Sequence, residues 1–189
     1  IELVKQLSGK CEAVVVCGGL AKGMTPDYYG KLLAAVPAGV KKIVDTEGER
    51  LYSALNAGVD LIKPNLDELE RTLKRPLRTQ SDMLAGCKQL LDKGAKCVLL
   101  SLGKKGAIIT DGKRNLYSKS VNVAMNSTVG AGDGMVAAAT CALVRGGSLE
   151  DILCAGVAAG TAAVTSPDSI SFGIDKYREV LSALTVKEI

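Results

Sequence analysis

The chain is predicted to adopt an α/β fold, a mainly parallel sheet covered by helices on both faces. Three observations predict it. Short apolar runs alternate with amphipathic stretches along the whole sequence. The runs are apolar at successive positions, as in strands buried on both faces, and several end in short polar or glycine-containing loops. At 189 residues and 47% hydrophobic content the chain fits one domain with a sizeable core. No internal repeat, low-complexity tract or linker divides it.

The opening residues enter a helix almost at once, and Ala13-Val14-Val15-Val16-Cys17 is the first strand, ending at Gly18-Gly19-Leu20. Thr25-Pro26-Asp27 is a helix-start signal, so a helix is expected over 27–35. A second strand over 42–45 ends at Asp45-Thr46 and leads to a helix over 49–57. A third strand over 61–63 is stopped by Pro64, and Asn65 opens a helix over 66–74. After a helix over 81–93, strands are expected over 97–101 and Ala107–Thr110, separated by a polar loop. Residues 113–122 are expected to form a hairpin strand at the sheet edge. Helices over 132–145, 148–164 and 175–184 complete the chain, the second announced by the capping box Ser148-x-x-Asp151. Gly134, Ala137, Ala138, Cys141, Gly156, Ala159, Gly160 and Ala163 recur at roughly helical spacing in the first two, which predicts close helix contact. The small first turns would also leave room for a flat ring.

Missing residue types exclude whole reaction classes. With no histidine there is no Ser-His-Asp triad, Cys-His pair or His-ligated zinc site. The six cysteines, Cys11, Cys17, Cys87, Cys97, Cys141 and Cys154, contain no C-x-x-C pair and sit in apolar stretches, as expected of buried free thiols in a reducing cytoplasm. A net charge of +4, from 24 basic and 20 acidic residues interspersed, demands neither a nucleic-acid nor a membrane partner. The apolar run 152–164 holds a Gly156-x-x-x-Gly160 spacing but is only about 13 residues long, short of the roughly 20 that span a bilayer. The chain starts at Ile1 with no initiator Met or signal segment, which reads as a portion of a longer protein.

The most informative stretch is Ser127-Thr128-Val129-Gly130-Ala131-Gly132-Asp133, running into the helix that begins Gly134-Met135-Val136. A Gly-Ala-Gly turn at a helix start points several unpaired N–H groups at one spot, where the helix dipole also favours negative charge. That spot suits a phosphate. An aspartate there is either a cap accepting those amides itself, the commoner case for a lone aspartate, or a group facing whatever reacts with the phosphate.

Agreement among distant segments favours the second alternative. The Ser127-to-Thr140 stretch, Ile62-Lys63-Pro64-Asn65-Leu66-Asp67-Glu68-Leu69, the loop Ser101-Leu102-Gly103-Lys104-Lys105-Gly106-Ala107, Asp45-Thr46-x-Gly48 and Cys17-Gly18-Gly19-Leu20-Ala21-Lys22-Gly23 all resemble motifs of one family. They resemble the PfkB family of ribokinase-like sugar kinases, closest to its 1-phosphofructokinases and tagatose-6-phosphate kinases. The resemblance covers nearly the whole chain, and Cys17, Gly19 and Ala21 depart from the family's two serines and proline in that turn.

The resemblance implies a ribokinase-like fold in which residues 1–189 are the C-terminal nucleotide-binding and catalytic portion, without the N-terminal part and lid. It implies ATP-dependent phosphoryl transfer to a ketohexose phosphate, fructose 1-phosphate first by the Ser127-Thr128-Val129 spelling and tagatose 6-phosphate second. In that scheme Asp133 is the general base and the amides of Gly130, Ala131 and Gly132 form the anion hole. Lys63, Asn65, Ser101, Gly103, Lys104 and Gly106 line the nucleotide, and Glu68 holds Mg2+ through a water. A sugar-phosphate substrate, a homodimer as the candidate assembly, cytoplasmic localisation and no nucleic-acid or membrane partner follow from the same resemblance.

Each assignment has a plainer alternative. Asn65 with Glu68 three residues on is a capping-box variant. Residues 101–106 also read as a solvated tight turn, and Lys63 as a solvated lysine. No Walker A sequence is present, which disfavours a P-loop enzyme. Gly103-Lys104-Lys105-Gly106 has the form of a KH clamp for single-stranded nucleic acid. It follows a strand rather than joining two helices, and the chain has only 3% aromatics. The serious rival is a catalytically inactive remnant that binds nucleotide.

Overall fold

Residues 1–166 and 172–189 are described by a computed structural model. The chain divides into two units, Ile1–Leu100 with Thr110–Lys113, and Ser101–Ile109 with Arg114–Ile189.

The first unit is built on four strands in chain order, β1 (Ala13–Cys17), β2 (Lys41–Asp45), β3 (Leu61–Ile62) and β4 (Val98–Ser101). Each pairs parallel to its neighbour, with Val44 opposite Ile62 and Cys17 opposite Asp45. Helices α1 (Glu2–Ser8), α2 (Tyr28–Ala34), α3 (Gly48–Leu55), α4 (Leu66–Leu73) and α5 (Gln80–Asp92) accompany them. Ile43, Val44, Leu61, Ile62, Val98, Leu99 and Leu100 are fully buried, and Leu33, Leu51, Leu69 and Leu90 come from the helices to meet them. Burying one such side chain contributes roughly 1.5–3 kcal/mol.

Burial on both faces holds for β2, β3 and β4 and fails for β1, where Val15 is 43% exposed. Among the described residues β1 stands at the end of the strand order and pairs only with β2. Helix ends lie within two residues of expectation, as caps dictate. α4 stops where Lys74 takes a left-handed conformation (φ 55°), and α5 carries a capping box of Thr79 and Asp82 that went unread in the sequence.

The second unit holds β5 (Ala107–Thr110), β6 (Asn115–Ser118) and, at the far end of the chain, β7 (Val186–Glu188), in that order. β7 was not expected, and it corrects one reading: the strand within 113–122 is not the outer one, because β7 pairs antiparallel beyond it, Tyr117 opposite Lys187. Three helices follow, α6 (Ala131–Val144), α7 (Leu149–Ala163) and α8 (Ile174–Ala183), lying between β6 and β7 in sequence. The Ser148–Asp151 capping box forms with reciprocal bonds of 3.2 and 2.8 Å. α7 is buried from Ala155 through Ala163, as a helix apolar all round must be. Its small residues allow backbone-close packing: a Cβ on Gly160 would lie 3.2 Å from the Ala131 carbonyl oxygen, and one on Gly134 3.5 Å from that of Ala159.

The cysteines need correction. All six are free thiols, but only Cys87 and Cys97 are buried, whereas Cys11, Cys17 and Cys141 are exposed and Cys154 is half-buried. Apolar sequence neighbours do not determine on which side of an element a residue falls, or that a strand's last residue is covered. Among the described residues no helix is long and apolar enough to cross a membrane.

Candidate functional site

In the second unit, the Gly-Ala-Gly turn opens α6 as the sequence predicts. Gly130 is the N-cap with φ 81°, a left-handed conformation that glycine adopts without strain, and its carbonyl accepts the Gly134 amide at 2.9 Å. No side chain caps this helix start. The amides of Gly130, Gly132 and Asp133 find no acceptor among the described residues, and Ala131 N–H makes only a long 3.4 Å contact with Thr128 O. The Asp133 side chain, in the first turn and exposed, makes no hydrogen bond or ion pair among the described residues. The capping alternative for Asp133 therefore does not describe this helix. Unspent amides, the positive end of a 14-residue helix and a free carboxylate stand side by side.

The same unit holds the 101–106 loop. Ser101 ends its strand half-buried, and Gly103–Lys105 form one 3-10 turn, with Gly103 at φ 58°. Leu102 N–H donates to Gly106 O at 2.9 Å and Gly106 N–H to Gly103 O at 3.0 Å, closing the loop on itself. Tyr117 donates its hydroxyl to Lys105 O at 2.7 Å. Gly103 and Lys104 are exposed. Gly106 is buried, with φ 97°, and a Cβ there would sit 1.9 Å from Ser118 O, so chain packing alone requires glycine at this position.

In the first unit, parallel pairing puts the ends of β1, β2 and β3 on one edge, the place where open α/β sheets bind ligands. Lys63, just past β3, is only 4% exposed and ion-pairs with Asp45 at the end of β2, Nζ to Oδ1 3.1 Å. The solvated reading of Lys63 is thus overturned. Pro64 holds the preceding residue extended, and the β2–β3 register aims its ammonium at Asp45. Asn65 caps α4, accepting the Glu68 amide at 2.8 Å, while Glu68 Oε2 accepts the Asn65 amide at 2.8 Å. The capping box therefore forms, and it leaves Glu68 its other oxygen. No group of three or more acidic or cysteine side chains able to hold a metal occurs among the described residues.

Sequence reasoning missed two groups on this edge. Asp45 was noted only as a strand end. Tyr29, 6% exposed, sets its hydroxyl 3.1–3.4 Å from the carbonyls of Cys17, Gly18 and Gly19, and Thr46 donates to Gly18 O at 2.7 Å. Burial raises the Tyr29 phenol above its usual pKa, with the positive charge of Arg50 acting in the opposite direction. A tyrosine in an amphipathic helix gives no sequence signal for such a clamp.

A family model described as pfkB family carbohydrate kinase matches residues 2–176. The chain belongs to that family. It is 39% identical over 175 residues to the ATP-dependent 6-phosphofructokinase isozyme 2 of Escherichia coli, and 30% identical over 177 residues to a 1-phosphofructokinase of Borreliella burgdorferi. The alignments take in 91% and 93% of this chain and 57% of each relative, so the chain spans little more than half of their length. Among solved structures, phosphofructokinase-2 of Escherichia coli with potassium superposes with a TM-score of 0.87 at 32% identity, covering 96% of this chain and 62% of that one. The same enzyme with fructose-6-phosphate gives 0.85 at 31%, covering 96% and 60%. The pfkB assignment accounts for the fold, a ribokinase-like α/β sheet, and for the recurrence of five separate motifs in one chain.

Proposed function

We propose that this chain carries the nucleotide-binding and catalytic portion of an ATP-dependent kinase that phosphorylates a hydroxyl of a ketohexose phosphate. The observation that carries the reading is the α6 start, where unpaired amides and an unpaired carboxylate lie within one turn. In a loose phosphoryl-transfer transition state little early deprotonation is needed, so an ordinary carboxylate at Asp133 serves by accepting the acceptor hydroxyl's hydrogen and aiming its oxygen in line. The amides of Gly130, Gly132 and Asp133, with Ala131 once its long contact breaks, donate to the equatorial oxygens. One such donor is typically worth about 2.7–4 kcal/mol of transition-state stabilisation.

In this reading Ser101, Gly103 and Lys104 border the nucleotide, and Gly106 fixes the loop's shape. Asn65 and Lys63, at the end of β3, are also assigned to the nucleotide in this reading. When bound with the nucleotide, Mg2+ neutralises charge on the phosphates. Glu68, with one oxygen committed to the Asn65 amide and one left, fits an outer contact to a metal-bound water, as expected for an ion that keeps much of its hydration. Fructose 1-phosphate is the proposed acceptor, with tagatose 6-phosphate second. The name of the 39% identical relative adds fructose 6-phosphate to the set worth assaying. Cytoplasmic action and self-association belong to the same proposal; one solved relative is described as a tetrameric inhibited form.

A second reading is nucleotide binding without turnover by these residues taken alone, which span 57% of each relative's length. A coupled ATP-consumption assay against the three sugar phosphates separates the two. Turnover that falls at least 100-fold in Asp133→Asn, with ATP affinity and melting temperature unchanged, supports the kinase. An Asp133→Asn variant keeping most of its rate refutes the base assignment. ATP-dependent thermal stabilisation without consumption favours the second reading.

A further inference from the structure

Arg50 takes no part in the α6 start, the 101–106 loop or the Lys63–Asp45 pair. It lies in the first turn of α3, directly after the end of β2, and is half-buried. Its Nε is fully covered yet has no hydrogen-bond partner among the described residues. One other atom shows where the guanidinium points: a Cβ built on Gly19 would lie 3.7 Å from Arg50 Nη1, so the fork lies over the Gly18-Gly19 turn at the end of β1. The Tyr29 phenol, which clamps that turn from beneath, responds to the Arg50 charge. A covered guanidinium nitrogen normally finds an acceptor, because an unpaired buried donor costs about 1–3 kcal/mol and more when charged.

The turn on which Arg50 rests is also where this sequence is unusual. Gly19 has no side chain to compete for the space, and Gly18, held at φ 76° by Asp45 O and Thr46 Oγ1, fixes the backbone beneath. Arg50 makes no hydrogen bond or ion pair among the described residues, so the terminal nitrogens of this half-buried side chain, at the carboxyl edge of a parallel sheet and beside a glycine turn, can offer a planar fork to a phosphate oxygen pair.

We propose that Arg50, laid over the Gly18-Gly19 turn, binds a phosphate monoester and so selects a phosphorylated acceptor over a neutral sugar. The inference rests on the kinase reading for the identity of the ligand, and on Arg50's own surroundings for the binding. Phosphate of this kind could arrive on the sugar or on the nucleotide, and the test separates them.

The test titrates inorganic phosphate, fructose 1-phosphate, fructose and ATP into the protein and into Arg50→Gln by calorimetry. Fructose 1-phosphate and phosphate are expected to bind and to lose at least tenfold in affinity in the variant, with ATP unchanged and fructose not binding. A loss for ATP alone moves the site to the nucleotide and overturns the acceptor assignment. Equal affinities in both proteins, or no binding of any phosphate, overturn the proposal. If Arg50→Gln does not fold, the unsubstituted protein decides. Inorganic phosphate should slow dicarbonyl modification of Arg50 severalfold, read by peptide mass, without slowing that of Arg78. An Arg50 that phosphate does not protect, or that never reacts, overturns it. Turnover is a separate readout: an active enzyme whose KM for the sugar phosphate is unmoved in Arg50→Gln refutes this inference and leaves the kinase reading intact. Phosphate binding lost in the variant without any turnover has the opposite meaning.

Discussion

Neutralising Asp45 should cost this fold more than removing the lysine it faces. Lys63 and Asp45 lie 3.1 Å apart, their side chains 5% and 15% exposed. At an effective dielectric near 20 their attraction is about 5 kcal/mol, much of it offset by taking both ions out of water. Asp45→Asn leaves an ammonium buried without its anion, and the expected loss of stability is about 3–5 kcal/mol. Lys63→Met leaves a carboxylate nearer to water, for which about 2 kcal/mol is expected. The double substitution removes both charges and should cost no more than about 1 kcal/mol, giving a coupling of at least ~4 kcal/mol in the cycle. Urea-unfolding midpoints of the four proteins at pH 7, followed by circular dichroism, measure it. Additivity within about 0.5 kcal/mol would refute the argument that this pair is what makes the buried lysine tolerable. The double variant, stable by this reasoning, is also the protein in which to measure ATP affinity, since a loss there is not one of folding and bears on the proposed nucleotide contact at the Lys63–Asp45 pair.

Three further outcomes are expected. Gly106→Ala combines a left-handed backbone with a Cβ 1.9 Å from Ser118 O, and should cost about 3–5 kcal/mol. Gly103→Ala, with φ 58° and open space around it, should cost about 1 kcal/mol, so a smaller urea shift at 106 than at 103 would contradict the packing argument. For Asp60, burial would raise the pKa, but the Lys96 ammonium and the Lys42 amide outweigh it and hold the carboxyl below its usual range. The stability it contributes is therefore complete above its ordinary value of about 3.9 and lost as pH falls through the lower folded-state value; the gap between wild type and Asp60→Asn in urea should close there, and a gap unchanged by acid would be the contrary result. Burial pushes the Cys87 and Cys97 thiols up to about 12, so iodoacetamide at pH 8 should label Cys11, Cys17 and Cys141 in the native protein and spare those two.

Features set by neighbours in sequence were the legible ones. The box at Asn65–Glu68, the box at Ser148–Asp151 and the glycine start of α6 each depend on three or four consecutive residues, and each formed. The parallel pairing of β1 to β4 was legible because at least one helix separates each strand from the next. What was hidden depends on register or on distance along the chain. Lys63 meets Asp45 only because Val44 pairs with Ile62. β7 is three residues whose strand character comes from pairing with β6, some 70 positions earlier, and not from its own Val-Lys-Glu. Cys17 looked buried because Val14 to Val16 precede it, yet it is the last residue of an outer strand.

The closeness of Gly160 to the Ala131 carbonyl has a bearing on rates. Because α7 comes close to the backbone at the head of α6, with the Met135 side chain beside the same point, the turn is braced from behind at Ala131. Under the proposed kinase reading, dipoles so anchored need not swing into place as charge builds up on a reacting group, which removes a reorganisation cost that water would impose. In that same kinase reading, a methyl group added at position 160 is therefore expected to slow the chemical step at a turn about thirty residues upstream, in a helix it never joins.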